Sequence, residues 1–372
     1  MTKIVFLIPT LMHGGAEKVL VNLVNNLDKA KYDITLFSIF DQGVNKEFLN
    51  KDINYQYKFK KVFRGNSQIM KLFSPKFLYK FLVKEDYDLV ISFLEGPTAR
   101  IISGCTNTKT KKIAWIHSDT LNKELAAVGF RNFTEAQKCY EKFDRIVGVS
   151  QNVINSFDRI LELENQLTVL YNVNETEEKK TKSKDSIECF SEENIPQVYT
   201  AGKLTKVKGF DRLIDVHHKL LTKGFPHQVN VLGIGEEQDY LEKKIKELGV
   251  RNSFKLLGFH KNPYQFIAKS DLYICASHRE GFSTAVTEAL ILGIPVISTN
   301  VSGAEELLGS NNEFGVVTEN STEGIYEGLK MLLSNPEKLA HYKKQAELRG
   351  NNFSKEKTMK AVENLFDSLL HE

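Results

Sequence analysis

Cysteine is scarce in this 372-residue chain, at four positions: Cys105, Cys139, Cys189 and Cys275. None forms a C-x-x-C pair, which excludes zinc ribbons and thioredoxin-like redox motifs. Scattered thiols in a chain of this size fit a reducing compartment. Long apolar runs are also lacking. None reaches the ~18 residues of a spanning helix. The N-terminal run MTKIVFLIPTLMHGG has neither the apolar h-region nor the small-residue cleavage site of a signal peptide. It reads as a buried first strand. Charge of one sign is in short supply too: 50 Lys and Arg against 47 Asp and Glu leave +3. That balance argues against a nucleic-acid partner. With 41% hydrophobic and 26% charged residues, the composition is that of a globular protein, not a collagen, a coiled-coil rod or a disordered tail. We expect a cytoplasmic protein whose membrane contact, where it has one, is peripheral and on the inner face of the plasma membrane.

The length predicts two domains. Short apolar strands alternate with amphipathic helices along both halves, the pattern of βαβ units and parallel sheets. Strands are expected at Ile4–Pro9, Ile34–Ile39, Leu89–Phe93, Lys112–Ile116 and Arg145–Val149. In the second half they fall at Val198–Ala201, Gln228–Leu232, Lys255–Leu257, Leu272–Cys275, Pro295–Ser298 and Gly315–Val317. Ile4–Ile8 is apolar on both faces, as a central parallel strand is. Helices are expected at Gly14–Leu27, Phe210–Lys223, Glu236–Leu248, Ser283–Leu292 and Thr322–Leu333, and from Pro336 to the end. The polar stretch 174–195 reads as a linker or exposed excursion. The expected domains are therefore 1–173 and 196–353, followed by a helix over 354–372. The fold class is α/β, with two Rossmann-like doubly wound domains facing each other across a cleft. Such sheets bind ligands at the carboxyl ends of their strands.

Chemistry is therefore sought in the loops after strands. Gly14 and Gly15 stand where the first strand turns into a helix, so they are either a phosphate-approach loop or a plain tight turn. Ala201–Gly209 carries Lys203, Lys206 and Lys208 beside a helix start. Lysines in a loop are usually just solvated, but this placement favours phosphate. Gly233 and Gly235 suggest a dinucleotide fingerprint, but Gln238 replaces its third glycine, and we reject NAD. The richest stretch runs from Ser277 to Val296. Glu280 lies in its loop, Ser283 or Thr284 can cap the next helix, and Glu288 lies a turn inside it. Backbone N–H groups around Gly281, Phe282, Ser283 and Thr284 can hold an anion, and carboxylates accept paired sugar hydroxyls. Both glutamates can equally be plain surface charges. Glu288, however, sits in a mostly apolar helix, and a carboxylate buried there needs a partner.

These residues carry a resemblance. Glu280-x7-Glu288 followed by Gly293-Ile-Pro295-Val resembles the signature of retaining family 4 glycosyltransferases, which have the GT-B fold. Gly14-Gly15-Ala-Glu-Lys resembles their N-terminal glycine loop, and Gly202-Lys-Leu-x3-Lys208-Gly their Gly-Arg-Leu…Lys-Gly motif. Gly233-x-Gly235-Glu and Leu257-Gly258-Phe259 fit as well. The match covers nearly the whole chain. It implies that Lys203 and Lys208 bind a nucleotide diphosphate, that Glu288 holds the ribose, and that Glu280 contacts the transferred sugar. It implies further that backbone near Gly258 and Phe259 reads the base, that Gly15 approaches the phosphates, and that His117 serves the acceptor or sugar side. The C-terminal helix of such enzymes crosses back onto the first domain. Lys203 replaces the usual arginine, keeping charge but losing bidentate geometry.

The activity so implied is transfer of a hexose or N-acetylhexosamine from a nucleotide sugar, a UDP-sugar by family frequency. The acceptor is a saccharide or lipid-linked saccharide, as in capsule, exopolysaccharide or glycolipid synthesis. Transfer is expected at the front face, with retention and without a metal or other cofactor. Charge on the leaving diphosphate is met by Lys203, Lys208 and helix N-termini. Asp86-Tyr-Asp88 resembles a metal-binding pair but precedes a strand, so we read it as a connector. The alternatives are a nucleotide-sugar epimerase of the same fold and a non-catalytic partner subunit. Tyr55–Lys84 adds a distinct feature: eight cations and no acid, leaving the rest of the chain at 3 − 8 = −5. Phe73, Phe77 and Phe81 repeat at i, i+4, i+8 beside Lys76, Lys80 and Lys84. Our expectation is a core-facing Phe row with solvated lysines. An anionic membrane surface is the alternative partner.

Overall fold

The structure, a computed structural model, describes residues 1–12, 14–164, 166–173, 176–185, 195–353 and 355–371, with only the backbone of 176–178. It divides into two compact units, Met1–Val173 with Glu356–Glu372 and Asn174–Lys355.

The first unit runs β1 (Thr2–Ile8), α1 (Gly15–Asn26), β2 (Tyr32–Phe40), β3 (Asn54–Phe59), α2 (Asn66–Leu72), α3 (Pro75–Leu82), β4 (Leu89–Ser92) and α4 (Pro97–Ile102). It continues through β5 (Lys111–Ile116), α5 (Lys123–Ala126), α6 (Phe133–Tyr140), β6 (Arg145–Gly148), α7 (Gln151–Leu161) and β7 (Leu167–Val169). The strands form one parallel sheet in the order β3-β2-β1-β4-β5-β6-β7. Ile4 to Ile8 of β1 are wholly buried at its centre. The sheet edges β3 and β7 are strands that the hydrophobic pattern did not announce. Both are only partly buried, so neither needs an apolar run. Asp88 lies at the amino end of β4, where its Oδ2 accepts from the Lys3 backbone N–H at 2.8 Å.

The second unit runs α8 (Thr176–Lys182), β8 (Gln197–Ala201), α9 (Phe210–Thr222), β9 (Gln228–Leu232), α10 (Gln238–Glu247), β10 (Phe254–Gly258), α11 (Tyr264–Ile267) and β11 (Leu272–Cys275). Then come α12 (Thr284–Ile291), β12 (Val296–Thr299), α13 (Ala304–Leu308), β13 (Val316–Thr318), α14 (Thr322–Leu333) and α15 (Pro336–Gly350). This sheet is also parallel, in the order β10-β9-β8-β11-β12-β13. Its core packs Leu213, Ile214 and Val216 of α9 with Val229, Val231 and Ile274 of the strands. Of the polar stretch 174–195, the part around α8 is a helix rather than a structureless excursion. Residues 186–194, Cys189 among them, lie outside the described residues. The other three cysteines are buried free thiols.

Helix α16 (Lys355–His371) belongs with the first unit over almost all its length. Met359, Val362, Leu365, Phe366 and Leu369 are its buried face, at helical spacing. The Phe366 ring lies 6.3 Å from Phe6 and 6.0 Å from Tyr32, and Tyr32 Oη donates to Asp367 Oδ1 at 3.1 Å. Burying such a ring is worth about 2 kcal/mol.

Candidate active site

In the second sheet the strand order reverses between β8 and β11, so the loops at their carboxyl ends open side by side. Such a switch point is where doubly wound sheets bind ligands. The loop after β8 carries Lys208, and the loop after β11 carries Glu280. Lys208 Nζ meets Glu280 Oε1 at 2.6 Å, and Ser277 Oγ donates to the same oxygen at 2.6 Å. Burial pulls the Lys208 ammonium down, but the adjoining Glu280 charge outweighs it and raises Lys208 above its ordinary value. Lys208 is therefore a fixed cation at neutral pH. Cys275 Sγ stands 3.9 Å from Glu280, and burial raises this thiol, keeping it neutral.

Several groups fix that loop, and sequence reasoning had not singled them out. Arg212, buried on α9, donates to the carbonyls of Ala276 and Ser277 and to Asn320 Oδ1. Thr299 Oγ1 donates to Ser277 O at 2.7 Å, and His278 N–H to Val207 O at 2.7 Å. Gly209 has φ +63°, and a Cβ there would stand 2.2 Å from Ala276 O. Only glycine lets the two loops approach this closely. Gly233, at φ +144°, plays the same part against Gly202, where an added Cβ would meet Gly202 O at 1.9 Å. At Gly235 an added Cβ would stand 2.3 Å from Leu204 O, so Gly233 and Gly235 both serve loop packing.

Helix α12 begins beside Glu280. Ser283 is its cap and accepts from the Val286 N–H, while Thr284 is the first helical residue. Gly281 and Phe282 are buried in the turn before it. Glu288 is buried in this helix, as its apolar neighbours required. Its Oε1 lies 3.4 Å from Lys179 Nζ of α8 and accepts from Tyr264 Oη of α11 at 3.4 Å. Each glutamate thus has a lysine of its own. Lys203 does not join Lys208 on Glu280; it is exposed and pairs with Glu236 at 3.6 Å, a solvated contact worth little. Gly258, at φ +75°, ends β10, and its carbonyl accepts from Gly233 N–H at 2.8 Å. Phe259 beyond it is exposed.

In the first unit, Gly14 precedes α1 and Gly15 opens it, after β1 and beside the switch between β1 and β4. The Glu17 carboxylate folds over Gly14, since an added Cβ would stand 2.1 Å from Glu17 Oε2. His117 follows β5. Its backbone N–H donates to Glu95 Oε2 at 3.0 Å, and its ring lies 4.7 Å from that of Phe93. His117 Nε2 is buried without a hydrogen-bond partner among the described residues. Burial pulls this imidazole down to about 3, so it is neutral at physiological pH. Among the described residues, no group of three or more His, Cys, Asp or Glu is arranged to hold a metal ion.

The Phe row overturns the expectation of core packing. Phe73, Phe77 and Phe81 are 41%, 49% and 43% exposed, and it is Leu78 and Leu82 that face inward. Ser74 and Pro75 break the expected single helix into α2 and α3, with Ser74 capping the second. The rings still stack, at 5.0 Å between Phe73 and Phe77 and 6.0 Å between Phe77 and Phe81. Buried Arg100 and half-exposed Arg131 share Glu135 and donate to carbonyls of Met70, Lys71, Leu72 and Phe73. This clamp fixes the end of α2, so the aromatic face is held outward.

The chain resembles glycosyltransferases over most of its length. Residues 13–178 match the family described as Glycosyltransferase Family 4, and residues 181–349 the one described as Glycosyl transferases group 1. The chain belongs to family 4 of the glycosyltransferases. It is 27% identical, over 96% of its own length and 97% of the relative's, to a Campylobacter jejuni N-acetylgalactosaminyltransferase named for a diphospho-undecaprenol-linked substrate. It is 26% identical to an uncharacterized glycosyltransferase of Haemophilus influenzae, over 92% and 94% of the two chains. Among solved structures, Anabaena HepE in complex with UDP and glucose matches with a TM-score of 0.79 at 20% identity, over 99% of this chain and 100% of that one. WaaG, a glycosyltransferase of lipopolysaccharide biosynthesis, matches with a TM-score of 0.75 at 15% identity, over 97% and 99%. The fold of this family 4 member is GT-B, with two parallel Rossmann-like sheets.

Proposed function

We propose that this glycosyltransferase moves a hexose or N-acetylhexosamine from a UDP-sugar to a lipid-linked saccharide, with retention and without a metal ion. The observation that carries the reading is the Lys208–Glu280–Ser277 cluster at the strand switch point. Breaking the sugar–phosphate bond leaves negative charge on the diphosphate. Lys208 is a permanent cation beside it, and the N-termini of α9 and α12 add partial positive charge. Lys203 is the more exposed second cation. Glu280 accepts from hydroxyls of the transferred sugar, and Glu288 from those of the ribose. Backbone at Gly258 and Phe259 reads the base, Gly15 approaches the phosphates, and neutral His117 hydrogen-bonds the sugar or acceptor. In the step itself, the C1–O bond to phosphate breaks as the acceptor oxygen bonds C1 on the same face. The acceptor proton passes to the leaving phosphate oxygen.

The lipid-linked acceptor is proposed from the substrate named for the Campylobacter relative. The exposed, clamped Phe row flanked by Lys76, Lys80 and Lys84 supports a membrane-surface location. Among the described residues no helix is long and apolar enough to cross a membrane. An anionic inner leaflet offers the complementary charge. The deciding experiment is nucleotide release from a panel of UDP-, GDP- and ADP-sugars in EDTA, with Glu288→Ala as control. Slow hydrolysis of one donor, lost in the variant, is expected. Silence across the panel, with no thermal shift by any donor, would favour a partner subunit. An inverted anomeric centre in the transfer product would remove the retaining step.

A further inference from the structure

Lys179 is a lysine in the wrong place for a linker. It lies in a segment of lysines, glutamates and threonines, yet its side chain is 2% exposed. A buried ammonium is tolerated only beside a countercharge. The countercharge here is Glu288, at 3.4 Å, and the Tyr264 ring closes over the pair, its centre 5.8 Å from Lys179 Nζ. Helix α8 is held in place by Asn262, whose Nδ2 donates to Lys182 O at 2.9 Å and to Asp185 Oδ2 at 2.8 Å. Two elements distant in sequence thus converge on one carboxylate of the donor-binding unit.

We infer that Lys179 is a positioning residue for nucleotide binding: with Tyr264, it holds the Glu288 carboxylate ionised and oriented for the ribose diol. The inference rests on the reading that Glu288 receives the ribose. A carboxylate can accept from both hydroxyls of a diol only while it is ionised. Without the Lys179 charge, burial would favour the protonated carboxyl, which donates instead of accepting. The Lys179 charge prevents that, and the short reach from α8 fixes where the oxygens point.

The test is calorimetric titration of the full chain with UDP, GDP and ADP, and then with the 2′,3′-dideoxy form of whichever binds. The wild type should prefer the ribose form by at least tenfold. Lys179→Met should bring that ratio close to one while leaving the affinity for the dideoxy form unchanged. Lys179→Arg, which keeps the charge but alters the reach, should give an intermediate ratio. A wild-type ratio in Lys179→Met would overturn the inference and reduce Lys179 to a latch for α8. Should that variant fail to fold, a wild-type ratio in Lys179→Arg overturns it instead. Failure of all three diphosphates to bind the wild type would defeat the nucleotide reading itself, a result visible before any variant is made.

Discussion

Lys208 Nζ and Glu280 Oε1 lie 2.6 Å apart, joining the loop after β8 to the loop after β11. This pair makes one unit of two groups to which the family resemblance gives separate tasks, phosphate binding and sugar contact. Lys208→Met should lower transfer by about 10²–10³-fold, the scale of losing one preset donor to a developing anion. It should also destabilise the fold by about 1–3 kcal/mol, less than for a fully buried pair because Lys208 remains partly exposed. Because the Glu280 charge holds Lys208 above its ordinary value, Lys208 stays charged throughout the neutral and mildly alkaline range. The wild-type to variant rate ratio should therefore be constant from pH 6 to 9. A ratio that collapses by pH 9 would show that Lys208 is not the fixed cation described here.

His117 should contribute by hydrogen bonding and not by charge. Its imidazole is held down to about 3, so no protonation step of this group falls between pH 5 and 8. His117→Ala should reduce kcat/KM by about 10–100-fold, with the same factor at pH 5.5 and pH 8. A factor that changes with a midpoint near the ordinary histidine value, about 6.5, would identify an ionising His117 and contradict its burial.

Much of this site was legible because its signals are local. A Glu-x7-Glu spacing, a glycine-rich turn after a strand and a capping serine each concern neighbours in sequence, and the structure places Glu280 in its loop, Ser283 at the cap and Glu288 inside α12 as those neighbours imply. What was illegible depends on distant partners. Nothing near Lys179 shows that it is buried, since a lysine in a polar segment ordinarily faces water and its partner is on α12. Arg212 reads as a helix-surface charge until Ala276 and Ser277 are seen against it. The Phe row was misjudged for a related reason. Helix α3 has two apolar faces, Phe77 with Phe81 and Leu78 with Leu82, and periodicity cannot say which turns inward. The structure turns Leu78 and Leu82 inward, while Arg100 and Arg131 grip the carbonyls at the end of α2.

The outward face carries its own prediction. Each lysine near an anionic surface is worth about 1 kcal/mol, so Lys76→Glu, Lys80→Glu and Lys84→Glu together should weaken binding to vesicles containing phosphatidylglycerol by about 100-fold or more. Salt at 0.5 M should do the same to the wild type. Phe77→Ser with Phe81→Ser should also reduce binding without lowering the melting temperature, because these rings are exposed. Sedimentation with vesicles reads both. Equal sedimentation of all the proteins would mean that the face is not a membrane surface.

Acid sensitivity should come from a buried imidazole pair in the second unit. His217 Nδ1 and His227 Nε2 are 2.8 Å apart, His217 Nε2 is 2.8 Å from Ser253 Oγ, and His227 Nδ1 is 2.9 Å from Phe225 O. One proton arrangement satisfies all three contacts: His227 donates to Phe225 O, His217 donates to His227, and Ser253 donates to His217. Both rings are then neutral. A further proton on His227 Nε2 would set its N–H against that of His217, and one on His217 Nε2 would place a charge in a buried site. Burial and the neighbouring imidazole pull His217 down to about 3, and burial also lowers His227. With a folded value below the unfolded one, their contribution is complete above about pH 6.5 and is lost as pH falls toward 3. Each such group adds a slope of up to about 1.4 kcal/mol per pH unit in that window. Denaturant midpoints at pH 7, 6, 5 and 4 should fall more steeply for the wild type than for His217→Gln, which has no imidazole to charge at that position. Parallel slopes would place the acid response in the carboxylates instead.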